Sequence, residues 1–115
     1  MPLEPGERDL GFILDIVLSA NDALEFVEGL DQEAFRKSKL HQHAVIRAIE
    51  IVGEAAGRLS PEFRSAHSDV PWREMTGMRH RLIHEYDKVS LEVVWAVVQD
   101  ELPALLPALR RIVGA

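Results

Sequence analysis

Apolar residues recur at steps of three and four positions along most of the chain, which is the spacing of one face of an α-helix. This pattern predicts three long helices, over Leu10 to Val27, Leu40 to Leu59 and Leu91 to Val113. On the first of them, the predicted buried face consists of Leu10, Ile13, Leu14, Val17, Leu24 and Val27. The third should be kinked or restarted at Pro103, because proline removes a helical hydrogen bond.

Residues typical of helix starts predict shorter helices between the long ones. Asp31, Ser60 and Ser90 are of the types that cap a helix N-terminus, and the first two precede short segments of helical composition. The short helices are predicted over Gln32 to Lys37, Pro61 to about His67, and Pro71 to about His84 with an interruption or bend near Gly77.

The pattern predicts an all-α fold, an antiparallel helical bundle. No run alternates apolar and polar residues, and no Asn-Gly turn suggests a hairpin, so no sheet is expected. A length of 115 residues fits a single domain over 1–115, with residues 1–6 as a loose tail.

Composition and charge narrow the functional classes. The formal net charge of −6 argues against a protein that binds nucleic acid through bulk electrostatics. The absence of cysteine excludes disulfides and thiolate metal sites. No segment reaches the roughly 18 apolar residues that span a bilayer, and no secretion signal opens the chain, so we expect a cytoplasmic protein without a membrane partner.

One segment, Arg79 to Tyr86, contains residue types that suit chemistry better than packing. Histidine exchanges a proton near neutral pH, and arginine is the cation best shaped for a phosphate. Around it the sign of the charge reverses, since Arg73, Arg79, Arg81 and Lys88 fall within sixteen residues. A small basic site on an acidic protein follows from this distribution.

The spacing inside this segment restricts its geometry. Arg79 and His84 are five residues apart, or about 140° around a straight helix, so they do not share a face. Either the helix ends near His84, or the arginine reaches around it, or the two residues meet counterparts across a symmetric dimer. We place His84 at the helix C-terminus, where an extended backbone would bring Tyr86 to the same side.

The reaction that fits these groups is phosphodiester cleavage in RNA, with His84 moving a proton and Arg79 stabilising charge on the phosphate. Glu54 could orient Arg79. Alternatively, Arg79 and Arg81 pair with acidic neighbours and His84 is a core residue. His80 and His84 have a metal-ligand spacing but lack a third ligand, and no glycine-rich phosphate loop is present, so no cofactor is expected.

At Arg79, His84 and Tyr86 the chain resembles the HEPN superfamily, and within it the HepT-like toxins, whose hallmark is Arg, four to six residues, then His, with Tyr two positions later. The resemblance extends in order through Ala44–Arg47, Ile51–Ala55, Pro71–Trp72 and Val94–Trp95. It implies a helical-bundle homodimer whose two motifs face each other across a cleft, acting as a metal-independent ribonuclease in which His80 and Tyr86 assist. His80 stands where such ribonucleases often have Asn or Asp.

The resemblance also implies a partner. Such proteins pair with a small nucleotidyltransferase antitoxin, which in some systems transfers AMP onto the tyrosine, here Tyr86. A modified Tyr86 would put bulk and negative charge where an RNA phosphate must lie. The rival hypothesis is a non-catalytic helical partner of such a nucleotidyltransferase.

Overall fold

The structure, a computed structural model, describes residues 5–84 and 88–114, and the side chains of residues 6–82 and 89–114. The helices in this part of the chain are α1 (Pro5–Phe26), α2 (Gln32–Lys37), α3 (Lys39–Gly57), α4 (Pro61–Ala66), α5 (Trp72–Leu82), α6 (Leu91–Ala96) and α7 (Leu102–Ile112). Between α5 and α6, strand β1 (Ile83–His84) pairs antiparallel with strand β2 (Lys88–Val89). The predicted all-α class is confirmed. The small ladder was not predicted, because strands of two residues are too short to show alternation.

The hydrophobic core is centred on α3, against which both α1 and α5 pack along much of their length. Ile49 and Val52 of α3, Ile16 of α1 and Met75 of α5 are all fully buried. Each such side chain stabilises the fold by about 1.5–3 kcal/mol through burial. Helix α7 packs against α1 and adds Leu109 to the same core.

The predicted N-caps are confirmed, since each side chain accepts a hydrogen bond from the backbone N–H three residues later. The pairs are Asp31 with Ala34 at 2.8 Å, Ser60 with Phe63 at 3.1 Å, and Ser90 with Val93 at 3.3 Å. Such caps satisfy N–H groups that lack partners inside the helix and each contributes about 1 kcal/mol.

The buried face of α1 differs from the predicted one. Leu10 and Leu14 are 40% and 48% exposed, whereas Ile16, Ala20 and Ala23 are buried. Helix α1 carries apolar residues on more than one side, so periodicity could not show which stripe faces α3. Ala20 and Ala23 face the core, and their small side chains let α1 pack closely against α3.

Helix α5 also departs from its predicted course. It runs through Gly77 without interruption and ends at Leu82, two residues before His84. The backbone of His84 is extended and faces Lys88 in the ladder. The chain then returns to the helix end, where the N–H of Ser90 donates to the carbonyl of Leu82 at 2.8 Å.

The proline at 103 is accommodated by a wider helical turn. Residues Val97–Glu101 form a π-helical segment between α6 and α7, and the N–H of Leu102 donates to the carbonyl of Val97, five residues back. Proline cannot donate a backbone hydrogen bond and its ring clashes with the preceding turn of an α-helix. The predicted irregularity is therefore present, just before Pro103, as an expanded turn.

In the described part of the chain, no helix combines the length and the apolar character that a membrane span requires.

Helices α3 and α5 approach each other closely at Gly53 of α3. A Cβ at this position would lie 3.3 Å from the carbonyl oxygen of Met75 and 3.7 Å from Cβ of Arg79. One turn later, a Cβ at Gly57 would lie 3.8 Å from Cγ2 of Thr76, an ordinary contact. The absence of a side chain at Gly53 therefore sets the separation of the two helices.

These two glycines offer a matched comparison. Glycine is about 1 kcal/mol less favourable than alanine inside a helix, so Gly57→Ala should be neutral or stabilising. Gly53→Ala must push α5 away, and we expect it to be less stable than Gly57→Ala by about 1 kcal/mol or more. Urea unfolding measures the difference. Equal stabilities would mean that α5 shifts freely and that Gly53 does not fix its position.

Candidate active site at the end of helix α5

Arg79 lies in the last turn of α5, on the side that faces α3. Its side chain is 58% exposed, and its Nε lies 3.7 Å from Oε2 of Glu50. This distance is too long for a hydrogen bond, so the contact is a loose ion pair. The guanidinium is thereby held near α3, and its donors form no hydrogen bond with a side chain that the structure describes. A guanidinium fork matches the oxygens of a phosphate.

Arg81 has a different environment, although it is only two residues away. Its two terminal nitrogens donate to the two carboxylate oxygens of Glu101, at 3.2 and 2.5 Å. This bidentate pair joins α5 to the end of the π-helical segment. The alternative in which the arginines pair with acidic neighbours thus describes Arg81 well, while Arg79 has a single loose contact among the described residues.

The carboxylate beside Arg79 is not the one expected from the sequence. Glu54 was expected to orient Arg79, but its Oε1 accepts a hydrogen bond from Nη2 of Arg58 at 3.1 Å. Glu50 takes that place. The reason is helical phase: Glu50 lies about 60° around α3 from Gly53, the contact point with α5, whereas Glu54 lies about 100° away. In the sequence, the three-residue spacing between Glu50 and Gly53 is what indicates that Glu50 lies nearer to α5 than Glu54 does.

The other candidate residues are only partly located by the structure. His80 is exposed on α5, next to Arg79. The backbone of His84 lies two residues beyond the helix, so His80 and His84 do not share a helical face, and the metal-ligand spacing considered for them does not apply. The side chains of His84 and Tyr86 lie outside the described residues. An extended backbone at His84 is the geometry in which the two would share a side.

Comparison with known proteins adds independent information. The family model described as "Ribonuclease HepT-like" matches residues 16–112. The chain belongs to the HepT-like family. The resemblance seen in the sequence is thereby confirmed, and it spans α1 to α7.

Several curated relatives of this HepT-like chain are similar over most of their length. "Putative RNase MJ1380" of Methanocaldococcus jannaschii is 40% identical over 100 residues, which are 86% of this chain and 92% of that protein. "Putative RNase TTE0752" of Caldanaerobacter subterraneus is 42% identical over 89 residues, 77% of this chain and 80% of that protein. "Probable ribonuclease HepT" of Thermococcus cleftensis is 39% identical over 94 residues, which are 82% of this chain and 86% of that protein. No solved structure gives a significant match.

The contrast between the two arginines predicts different effects on stability. We expect Arg81→Gln to lower the free energy of unfolding by about 0.5–1 kcal/mol, because a bidentate but half-exposed pair is lost. Arg79→Gln should change it by no more than a few tenths of a kcal/mol, since its contact with Glu50 is long and exposed. Urea unfolding of both variants tests this, and a larger loss for Arg79→Gln would mark that arginine as structural.

Proposed function

We propose that this HepT-like chain is an endoribonuclease in which Arg79 binds the scissile phosphate and His84 transfers protons. The observation that carries the proposal is the exposed, loosely held guanidinium of Arg79 at the end of the helix that leads directly to His84. Membership of the HepT-like family and the RNase and ribonuclease names of its relatives support the same activity.

In the proposed reaction, the ribose 2′-oxygen attacks the adjacent phosphorus. A base removes the 2′-hydroxyl proton, the bond from phosphorus to the 5′-oxygen breaks, and an acid protonates that leaving oxygen. The products are a 2′,3′-cyclic phosphate and a 5′-hydroxyl. Arg79 would stabilise the additional negative charge that the phosphate oxygens acquire in the transition state, and Glu50 would position Arg79.

This reaction needs one base and one acid, and each chain has a single His84. A homodimer whose two motifs face each other would provide both groups, which supports the symmetric arrangement that the spacing of Arg79 and His84 suggests. His80 and Tyr86 would assist as further hydrogen-bonding groups at the phosphate. The proposed step uses no metal ion.

The activity is tested by substitution of the motif residues. We expect His84→Ala to slow cleavage of a single-stranded RNA by about 10²–10⁴-fold, and Arg79→Gln by about 10²–10³-fold. Arg81→Gln is the matched control and should retain activity, and wild-type cleavage should persist in EDTA. The assay is denaturing electrophoresis of a labelled RNA with identification of the cyclic phosphate. Full activity of His84→Ala would refute the assignment.

We further propose that the chain is the toxin of a toxin-antitoxin pair, neutralised by a nucleotidyltransferase that transfers AMP from ATP to the hydroxyl of Tyr86 and releases pyrophosphate. The attached AMP would add bulk and a negative charge beside the phosphate site, which would repel RNA.

Co-expression with a nucleotidyltransferase encoded in the adjacent reading frame tests this regulation. We expect the intact mass of the chain to rise by one adenylyl group, and Tyr86→Phe to abolish the increase. The modified wild-type protein should lose RNA cleavage. A complex that forms without adenylylation, from a chain that never cleaves RNA, would instead favour the non-catalytic partner.

A further inference from the structure

A groove of about 290 Å³ lies between α1 and the outer face of α3. Its apolar wall is formed by Phe12, Ile51 and Ala55. Phe12 is half-buried and packs against the core, so its ring is held in place while part of it faces the groove. A fixed aromatic surface at an open groove is the type of platform on which a nucleobase stacks.

The rim of the groove carries both acidic and basic side chains. Arg58 is already paired with Glu54, as described above. Arg47 and Asp15 also line the groove, and neither forms an ion pair with another residue in the part of the chain that the structure describes. The groove therefore combines an aromatic ring, an available cation and an available hydrogen-bond acceptor.

A nucleotide satisfies all three features. Its base can stack on the aromatic ring, its phosphate can bind the guanidinium, and the N–H groups on the edge of the base can donate to a carboxylate. Because the chain has a net charge of −6, general attraction for RNA is weak, and stacking would supply affinity that does not depend on bulk charge.

The groove and Arg79 adjoin glutamates that are one turn apart on α3. Glu54 lines the groove, while Glu50, one turn earlier on α3, contacts Arg79. Cβ atoms four residues apart on a helix are separated by about 5–6 Å, and the whole helix is about 10–12 Å across. The groove and Arg79 thus lie on either side of the edge of α3 that carries these glutamates, and a strand that crosses this edge would contact both.

We propose that this groove is an RNA subsite: it binds one nucleotide of a single-stranded RNA, with the base stacked on Phe12 and a phosphate on Arg47. Asp15 accepts hydrogen bonds from the base. The inference rests on the proposed ribonuclease function and adds to it the path of the strand next to the scissile phosphate. Bases without a pairing partner bind there, so the enzyme selects single-stranded regions.

The test is the binding of a fluorescent, 2′-O-methylated oligonucleotide, which cannot be cleaved by attack of the 2′-oxygen, measured by anisotropy. We expect Phe12→Leu, which keeps most of the packing volume, to weaken binding about 5- to 100-fold. Arg47→Gln should weaken binding and reduce the slope of log affinity against log salt by about 0.7, the value for one phosphate contact on a single strand.

Matched controls lie outside the groove. Phe26→Leu removes a partly exposed aromatic ring from the other end of α1, and Arg111→Gln removes an exposed cation from α7. Both should bind the oligonucleotide like the wild type. Urea unfolding of all four variants shows whether each is folded at the binding temperature. A Phe12→Tyr variant, which preserves the aromatic face, should bind like the wild type and separates stacking from a packing defect.

The possible outcomes distinguish failure of the subsite proposal from failure of the ribonuclease proposal. If Phe12→Leu and Arg47→Gln bind like the wild type while cleavage still depends on Arg79, the subsite is wrong and the ribonuclease proposal stands. If the wild type neither binds nor cleaves RNA, the subsite and the ribonuclease proposal are both wrong. A free mononucleotide that binds in a Phe12-dependent manner, while oligonucleotide binding is unaffected by Phe12→Leu, would refute a strand subsite and identify a nucleotide site.

Discussion

The contact between α3 and α5 at Gly53 is the constraint on which the candidate site depends. Because α3 has no side chain there, the backbone of α5 comes close enough for Arg79 to pass α3 and contact Glu50. Beyond this contact α5 ends at Leu82, and the backbone is extended at His84. The position of a charged group at the surface is therefore set by packing in the interior.

The two neighbouring arginines show how one short segment divides structural and chemical roles. Arg81 is fully engaged with Glu101 and fastens the end of α5 to the π-helical segment. In the part of the chain that the structure describes, Arg79 makes one long contact, with Glu50 on α3, which leaves its other donors available. The protein is acidic overall, so most of its surface does not attract an anionic substrate. An exposed cation such as Arg79 therefore favours binding of the substrate at this position.

Much of the fold could be predicted from local sequence, because helical periodicity and N-cap residues act over a few positions. The caps at Asp31, Ser60 and Ser90 are of this kind. Properties that depend on distant packing could not be predicted in the same way. Exposure of Leu14 depends on which apolar stripe of α1 meets α3, and no pattern within α1 decides it.

The candidate site shows the same division. Residue types made Arg79 and His84 the candidates, since the chemistry of a side chain can be recognised without a fold. Glu54 was considered as the group that orients Arg79, but the carboxylate in contact with Arg79 is Glu50. Both glutamates lie on nearly the same face of α3, and only the contact at Gly53 distinguishes them. The helix end at Leu82 was placed two residues too late, since nothing before the ladder with Lys88 and Val89 signals a stop.

The π-helical segment at Val97–Glu101 has a consequence for how this fold can change in length. A π-turn contains about one residue more than the α-helical turn it replaces, so this segment accommodates one additional residue within the helix. Removal of one residue there would let this turn close as regular α-helix without changing the faces that the flanking residues present, because the additional residue of a π-turn is accommodated within that turn. The helix can therefore differ in length by one residue at this segment while Val94 before it and Leu106 after it still face the core.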